Sequence, residues 1–222
     1  MSIASPAPTT RERSRLIHGS PAEQRLVLEG VSWGTYGRLV VELERGGTRL
    51  AYDQGRLEIM SPSFLHEVRK RQLGRMIEIL AEELDLEIVG GGSTTFRRED
   101  ARRGLEPDEC YWLAQALQIA QHTQIDLATD PPPDLAIEVD LTSNSLNKQP
   151  IYASLGVPEV WRYDGRRLAV LQLAAPGVYA AAEVSLSFPT VPVSGLAQFL
   201  ALHQAVSERQ WTREFRAWIR SL

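Results

Sequence analysis

Four acidic residues occupy positions where a carboxylate is costly unless it has a partner. Asp108 follows Pro107 at the start of a predicted strand, and Glu138 and Asp140 lie inside the apolar segment Leu-Ala-Ile-Glu-Val-Asp-Leu. A charged side chain in such a strand must pair with an opposite charge or bind a metal ion. Alternate strand residues share one face about 6.6–6.8 Å apart, so Glu138 and Asp140 are predicted to serve one site. Asp134 shares that face roughly 13 Å from Glu138, and we assign it to the start of the strand.

Asp108 and Glu138 are distant in sequence, but neighbouring strands lie about 4.8 Å apart. If their strands pair, the two carboxylates converge on a hard divalent cation such as Mg²⁺ or Mn²⁺, which binds a few carboxylates plus water. The alternative is that Glu138 and Asp140 pair with arginines at a sheet edge. Spacing alone leaves both interpretations open.

Lysine is rare in this chain, since Lys70 and Lys148 are the only lysines among 24 basic residues. An ammonium acts at a reaction centre more readily than a guanidinium because its pKa shifts more easily. Lys148 lies eight residues after Asp140. From there it could polarise a water or stabilise a phosphorane-like charge. The alternative is that both lysines are ordinary surface residues.

Several elements must position these side chains. An apolar stripe after Ser32 predicts a helix closed by Gly46-Gly47, and residues 49–52 and 56–60 predict a hairpin. Ser61-Pro62-Ser63 begins the strongest helical pattern. The remaining strands are predicted at 87–89 and 94–97 around a triglycine turn, then at 109–113, 135–141, 159–163 and 168–173, with a helix at about 145–155.

This order predicts an α/β or α+β fold. We expect a mixed β-sheet flanked by helices, with an N-terminal hairpin and C-terminal helices, since the helix after residue 141 permits a parallel crossover. Residues 1–20 are expected to be a flexible arm. Residues 21–222 are expected to form one domain, with a core at about 30–173 and a C-terminal appendage at 174–222.

Composition excludes several classes of protein. One cysteine among 222 residues excludes an internal disulfide framework and a Cys-based zinc site. No apolar segment reaches the roughly 18 residues of a membrane span, and the first 17 residues lack the apolar core of a secretory signal. We therefore expect a cytoplasmic protein. Its net charge of −4 argues against coating nucleic acid through bulk charge.

Five segments in order resemble a known family. They are GRLEIMSP (55–62), His66-Glu67, EPDECYW (106–112), PPDLAIEVDLTS (132–143) and YASLGVPEVWRYDG (152–165). Together they are similar to the Uma-type family of proposed restriction endonucleases, a domain of unknown function within the PD-(D/E)XK nuclease superfamily. The resemblance covers roughly residues 30–173. It implies a restriction-endonuclease-like core with a metal site on neighbouring strands.

The resemblance also implies roles for individual residues. Asp108 matches the strand-two aspartate, and Glu138 matches the strand-three acid. Glu58 matches the acidic residue after the family's Gly-x-Leu hairpin. Asp108, Glu138 and Glu58 are therefore the expected ligands of Mg²⁺ or Mn²⁺, with Glu58 acting through water. His66 matches the histidine of the first core helix, although a capping or surface histidine is an equally good interpretation.

One position departs from the family pattern. The third residue of the Glu-x-Lys motif is Asp140 here, so the expected lysine is absent. Lys148 is the candidate for a migrated lysine. Catalysis depends on whether Lys148 reaches the site.

Two basic stretches are candidates for contacts with DNA phosphates, and an alternative is that both are solvated faces. The first contains Arg69, Lys70 and Arg71, and the second contains Arg97 and Arg98. An aromatic stripe formed by Trp211, Phe215 and Trp218 is interpreted as core or as the interface of a homodimer.

The sequence thus predicts a Mg²⁺-dependent endonuclease that hydrolyses DNA phosphodiester bonds. Asp108, Glu138, Lys148, Glu58 and His66 are its expected catalytic residues. The alternative is a catalytically inactive nuclease fold that serves as a DNA-binding or protein-interaction module. A small-molecule phosphodiesterase would share the same carboxylate chemistry.

Overall fold

The computed structural model describes residues 23–43, 46–142, 146–175 and 177–222. The predicted arm at 1–20 lies outside these residues. The described strands are β1 Gln24–Leu28, β2 Arg49–Asp53, β3 Arg56–Ser61, β4 Val89–Gly90, β5 Phe96–Arg98, β6 Arg103–Leu105, β7 Glu109–Trp112, β8 Leu135–Val139, β9 Glu159–Tyr163, β10 Leu168–Ala175 and β11 Val178–Ala182. The described helices are α1 Trp33–Leu43, α2 Phe64–Glu83, α3 Ala116–Ile119, α4 Gln149–Leu155, α5 Val193–Leu202 and α6 Glu208–Ile219.

The first sheet is antiparallel, with the strand order β1-β3-β2-β6-β5. The predicted hairpin is confirmed as β2 and β3, which turn at Gln54 and Gly55 with positive φ angles of 49° and 107°. Helix α1 packs on this sheet through Tyr36, which stacks on Tyr52. Strand β1 was not predicted because its two exposed leucines point outward and Arg25 points inward, the reverse of the usual pattern.

The second sheet is mixed, as predicted, with the strand order β11-β10-β9-β8-β7-β4. Strands β8 and β9 are parallel and α4 forms the crossover between them, whereas the other neighbouring strands are antiparallel. Helix α4 starts at Gln149 rather than near 145, and residues 143–145 lie outside the described part of the chain. The crossover places the start of α4 over one face of β8.

The two faces of the second sheet bury different cores. On one face, α2 contributes Leu73 and Met76, which pack with Ile137 of β8 and with Trp211 and Phe215 of α6. The aromatic stripe of α6 is therefore part of the core of its own chain. Segment 174–222, expected as an appendage, contributes to the same core as β8.

On the other face, α4 packs between the two sheets. Ile151 and Tyr152 of α4 share a core cluster with Ala136 of β8, Cys110 of β7 and Leu105 of the first sheet. The candidate acids of β7 and β8 lie at the end of this shared core.

The strands predicted on either side of the triglycine segment belong to different sheets. Strand β4 pairs with β7 in the second sheet, whereas β5 pairs with β6 in the first sheet. A Cβ atom on Gly91 would lie 2.6 Å from the Trp112 ring and 2.7 Å from Cys110 Sγ. The glycines therefore allow the backbone to cross closely between the sheets.

Within the described parts of the chain, every helix is too short or too polar to span a membrane.

Gly195 of α5 tests the packing of the C-terminal helices. A Cβ atom there would lie 2.1 Å from Cζ2 of Trp218, so Gly195→Ala must displace α6. We expect urea unfolding to show a loss of about 1–3 kcal/mol. Gly34→Ala is the control, because its nearest neighbour is the end of Arg38 at 4.0 Å. Equal stability of the two variants would contradict this packing.

Candidate active site

Strand pairing places Asp108 and Glu138 opposite each other. Strands β7 and β8 are antiparallel, with Cys110 opposite Ala136 in the shared core. Asp108 lies two residues before Cys110, directly ahead of β7, and Glu138 lies two residues after Ala136. Continuation of the same register therefore places both acids on one face. The backbone amide of Asp108 donates to Ile137 O at 3.1 Å. The two acids are 2% and 5% exposed.

Asp108 is held by two donors. The backbone amide of Val139 donates to Oδ2 at 2.7 Å, and His66 Nε2 lies 2.8 Å from Oδ1. Burial raises the pKa of Asp108, but the hydrogen bond and charge of His66 outweigh burial, and the pKa is lowered. Asp108 is therefore an ionised carboxylate with a fixed orientation.

His66 lies in the first turn of α2, three residues after the cap residue Ser63, whose side chain accepts a hydrogen bond from the His66 amide. Its Nδ1 lies 2.8 Å from Glu23 Oε2, so each ring nitrogen faces a carboxylate. Burial lowers the pKa of His66, but hydrogen bonds to Asp108 and Glu23 raise it to about 9. An imidazolium with both protons engaged, and with no exposed surface, holds Asp108 in place rather than exchanging protons with a substrate.

Glu138 is held from the start of the crossover helix. Lys148, the residue before α4, donates from Nζ to Oε2 at 2.7 Å, and the Tyr152 hydroxyl donates to Oε1. Burial raises the pKa of Glu138 and the charge of Asp108 adds to this effect, while Lys148 opposes it. Lys148 therefore reaches the carboxylate predicted for it, although it is ten residues away in sequence.

Lys148 is a charged ammonium among several carboxylates. Burial lowers its pKa, but the carboxylates of Glu138, Asp108 and Glu58 outweigh burial and raise it. Its Nζ lies 3.9 Å from Glu58 Oε1. The interpretation of Lys148 as an ordinary surface residue is wrong.

Glu58 of β3 lies beside this pair but has other partners. Arg25 NH1 donates to Glu58 Oε1 at 2.8 Å, and the amide of Leu146 donates to Oε2 at 2.7 Å. Across residues 23–43, 46–142, 146–175 and 177–222, no three His, Cys, Asp or Glu side chains form a metal-holding group. The structure therefore does not bring Glu58 together with Asp108 and Glu138 as a third ligand.

Asp140 pairs with arginine, which is the alternative that the sequence left open for Glu138 and Asp140. It directly follows β8, and its carboxylate lies 2.6 Å from Arg162 NH2 and 3.3 Å from Arg25 NH2. Glu138 instead pairs with Lys148. The two acids of one strand face thus have different partners.

Glu23 and Arg25 are site residues that the sequence analysis missed. The Arg25 guanidinium is buried, with 4% of its side chain exposed, and lies 2.6 Å from Glu23 and 2.8 Å from Glu58. Together with its contact to Asp140, it links β1 and β3 of the first sheet to the end of β8. The available signal was Arg25, a charged residue within the short apolar segment QRLVL. Because an unpaired buried charge is costly, an inward-facing Arg25 requires carboxylate partners.

The cluster carries excess negative charge. Its five carboxylates are those of Glu23, Glu58, Asp108, Glu138 and Asp140. Its three enclosed cations are Arg25, His66 and Lys148. A fourth cation, Arg162, contacts Asp140 from the exposed edge of the cluster, so one net negative charge remains when all groups are ionised.

A cleft of about 220 Å³ opens onto Glu138. Lys148 and Tyr152 line it, together with Arg162, whose side chain is 50% exposed. Because β8 and β9 are parallel neighbours with Glu138 opposite Arg162, this arginine lies next to the acid.

The carboxylates of Asp108 and Glu138 fit Mg²⁺ or Mn²⁺ with water ligands, but they do not fit a site in which the protein supplies every ligand. Mg²⁺ is bound through one or two carboxylates, several waters and substrate phosphates. Asp108 and Glu138 offer two carboxylates on neighbouring strands, and each oxygen retains acceptor capacity beyond its present donor.

The basic stretches divide into exposed and buried residues. Arg71, Arg97 and Arg98 are exposed, whereas Arg69 is partly buried and donates to Gln72 at 3.1 Å. Lys70 points inward, with Nζ 3.3 Å from Ser93 Oγ and 3.7 Å from Glu109. Lys70 is therefore engaged by partners within its own chain, and its contact with DNA stays a prediction.

Two other residues have structural roles. Asp134 accepts hydrogen bonds from the amides of Leu113 and Ala114 at 2.7 and 2.9 Å, so it organises the start of β8. Cys110 is buried, and burial raises the pKa of its thiol to about 12.

Comparison with known proteins identifies a family. The sequence profile of the Uma2 family, described as "Putative restriction endonuclease", matches residues 33–203. This match confirms the resemblance expected from the motifs. No curated protein matches the chain.

One similar solved structure is described as a "putative nuclease belonging to DUF820" from Anabaena variabilis ATCC 29413. It is 14% identical, with a TM-score of 0.46, over 68% of this chain and 90% of that one. At these values the similarity carries no argument about the site.

The charge of His66 predicts how stability depends on pH. Its contribution is fully present below pH 6.5, its unperturbed pKa, and is lost as pH rises through about 9. In metal-free buffer at pH 6, we expect His66→Gln to lower the free energy of unfolding by about 3 kcal/mol. Urea unfolding should show this difference shrinking between pH 6.5 and 9.5.

His122→Gln is the control, because His122 lies in an exposed segment away from the cluster. This substitution removes a histidine without changing the partners of Asp108 or Glu23, so it controls for the loss of a histidine as such. A constant difference for His66→Gln would contradict the doubly paired imidazolium.

Proposed function

The chain belongs to the Uma2 family, and from this premise we propose that it is a Mg²⁺- or Mn²⁺-dependent endonuclease that hydrolyses DNA phosphodiester bonds. The observation that carries the proposal is the antiparallel pairing of β7 and β8, which brings Asp108 beside Glu138, with the Lys148 ammonium 2.7 Å from Glu138. Glu138 and Lys148 line the open cleft, and Asp108 is buried beside Glu138. Two acids and a lysine are the groups that this chemistry needs.

In this proposal Asp108 and Glu138 hold the cation. A divalent cation held by these two residues would activate water for attack and would neutralise charge on the transferring phosphate. Lys148 stabilises the same negative charge or orients the attacking water. His66 and the Val139 amide fix the orientation of Asp108, and Tyr152 fixes that of Glu138.

Glu58 and His66 receive positioning roles in the proposal rather than direct contact with substrate. Glu58 anchors Arg25 and the amide of Leu146, two residues before Lys148. His66 is fully buried behind Asp108. The homodimer and the cytoplasmic location stay predictions of the sequence.

A second candidate function is a nuclease fold without catalysis that binds DNA or protein. It is favoured by Asp140, which replaces the family's lysine and pairs with Arg25 and Arg162. Calorimetric titration with Mn²⁺ separates the two candidates. Binding that is lost in Asp108→Asn supports the enzyme, whereas the absence of binding supports the module.

Neutral isosteres of the two acids test the catalytic assignment. We expect Asp108→Asn and Glu138→Gln each to lower the rate of plasmid or oligonucleotide cleavage in Mg²⁺ or Mn²⁺ by about 10²–10³-fold or more. Circular dichroism should show that both variants remain folded.

Glu159→Gln is the matched control, because Glu159 is a fully buried carboxylate on the opposite face of β9. Its partners are Trp161, Ser185 and the amide of Leu186, so its loss should affect stability and leave cleavage intact. Cleavage that survives in both site variants would reject the assignment.

Arg162 is predicted to contact a DNA phosphate, because it is half exposed beside Glu138 at the cleft. In Ca²⁺ or EDTA, Arg162→Gln should weaken DNA binding and lower the slope of log K against log salt by about 1. Arg166→Gln, in the exposed β9–β10 turn, is the control. If both variants show an unchanged slope, DNA does not use this cleft.

A further inference from the structure

Lys148 occupies the position where a bound cation would be expected. Its Nζ lies 2.7 Å from Glu138 and 3.9 Å from Glu58. Asp108 projects from the same face of the neighbouring strand as Glu138. The ammonium therefore neutralises the carboxylates that the proposed function assigns to a divalent cation.

Glu138 has no oxygen without a donor. Lys148 contacts Oε2, and the Tyr152 hydroxyl contacts Oε1. A divalent cation on Glu138 would lie within a few ångströms of the ammonium, where two positive charges repel strongly in a buried site. Tyr152 is neutral and fixed in α4, whereas Lys148 has a flexible four-carbon side chain.

The side chain of Lys148 has a place to move. It lines the cleft beside Glu138 and retains 11% exposure. A rotation away from Glu138 would direct the ammonium into the cleft, toward the position of a substrate phosphate.

We propose that Lys148 and the divalent cation are alternative partners of Glu138. Lys148 holds the carboxylates together while the cation is absent, and cation binding releases its ammonium into the cleft to contact the phosphate. This inference rests on the proposed function, since it requires that Asp108 and Glu138 bind the cation.

The two lysines of the chain make a direct test practical. Lys70 is the internal control, because its side chain is also 11% exposed and paired with carboxylates. Two samples of the full-length protein, one without metal and one with saturating Mn²⁺, are acetylated briefly with an amine-reactive ester. The acetylated peptides are quantified by mass spectrometry. We expect Mn²⁺ to raise the labelling rate of Lys148 about fivefold or more and to leave Lys70 unchanged.

A second measurement uses Mn²⁺ affinity. We expect Lys148→Met to bind Mn²⁺ about tenfold more tightly by calorimetry, because the competing cation is removed. Lys148→Arg keeps the charge and should not bind more tightly, and Lys70→Met should match the unmodified protein. The labelling experiment needs no variant, so it remains decisive if Lys148→Met does not fold.

The outcomes separate this inference from the proposed function. Mn²⁺ binding without a change in Lys148 labelling overturns the exchange and leaves the metal site standing. The absence of Mn²⁺ binding to the unmodified protein overturns both. Slower labelling of Lys148 with Mn²⁺ would show that the lysine stays at the site, which also overturns the exchange.

Discussion

The neutralisation of buried carboxylates between two sheets is the constraint on which this structure depends. Glu58 of β3, Glu138 of β8 and Asp108, directly before β7, are almost completely buried. Such charges are tolerated only with cationic partners and hydrogen bonds. The partners come from three further elements, with Arg25 on β1, His66 on α2 and Lys148 before α4. The site therefore requires that all these elements be assembled.

The need to neutralise these carboxylates explains the placement of β1, α2 and α4. Strand β1 exposes its leucines and buries its arginine because Arg25 must reach Glu58 and Asp140. Helix α2 begins at the site because His66, in its first turn, supports Asp108. The crossover helix α4 is short but starts directly over Glu138. Each of these placements brings a cation to an acid.

Under the proposed function, Lys148 takes the role of the lysine that the family pattern has at residue 140. Residue 140 lies two residues beyond Glu138, and here it is an acid that pairs with Arg25 and Arg162. Lys148 approaches Glu138 from the crossover helix instead.

Local patterns in the sequence determined the hairpin of β2 and β3 and the start of helix α2 at Ser63. They also indicated a sheet with both parallel and antiparallel strands. Turns, caps and apolar periods can be read in this way because they depend on near neighbours. The same patterns placed Asp108 and Glu138 on strands that could pair. Only the tertiary structure decided that β4 and β5 join different sheets, that Glu23 and Arg25 complete the site, and that Glu58 binds Arg25. These features depend on contacts between separate elements, such as that of Arg25 with Glu58 of β3, and the partner of each strand and each charge is set by how the sheets pack.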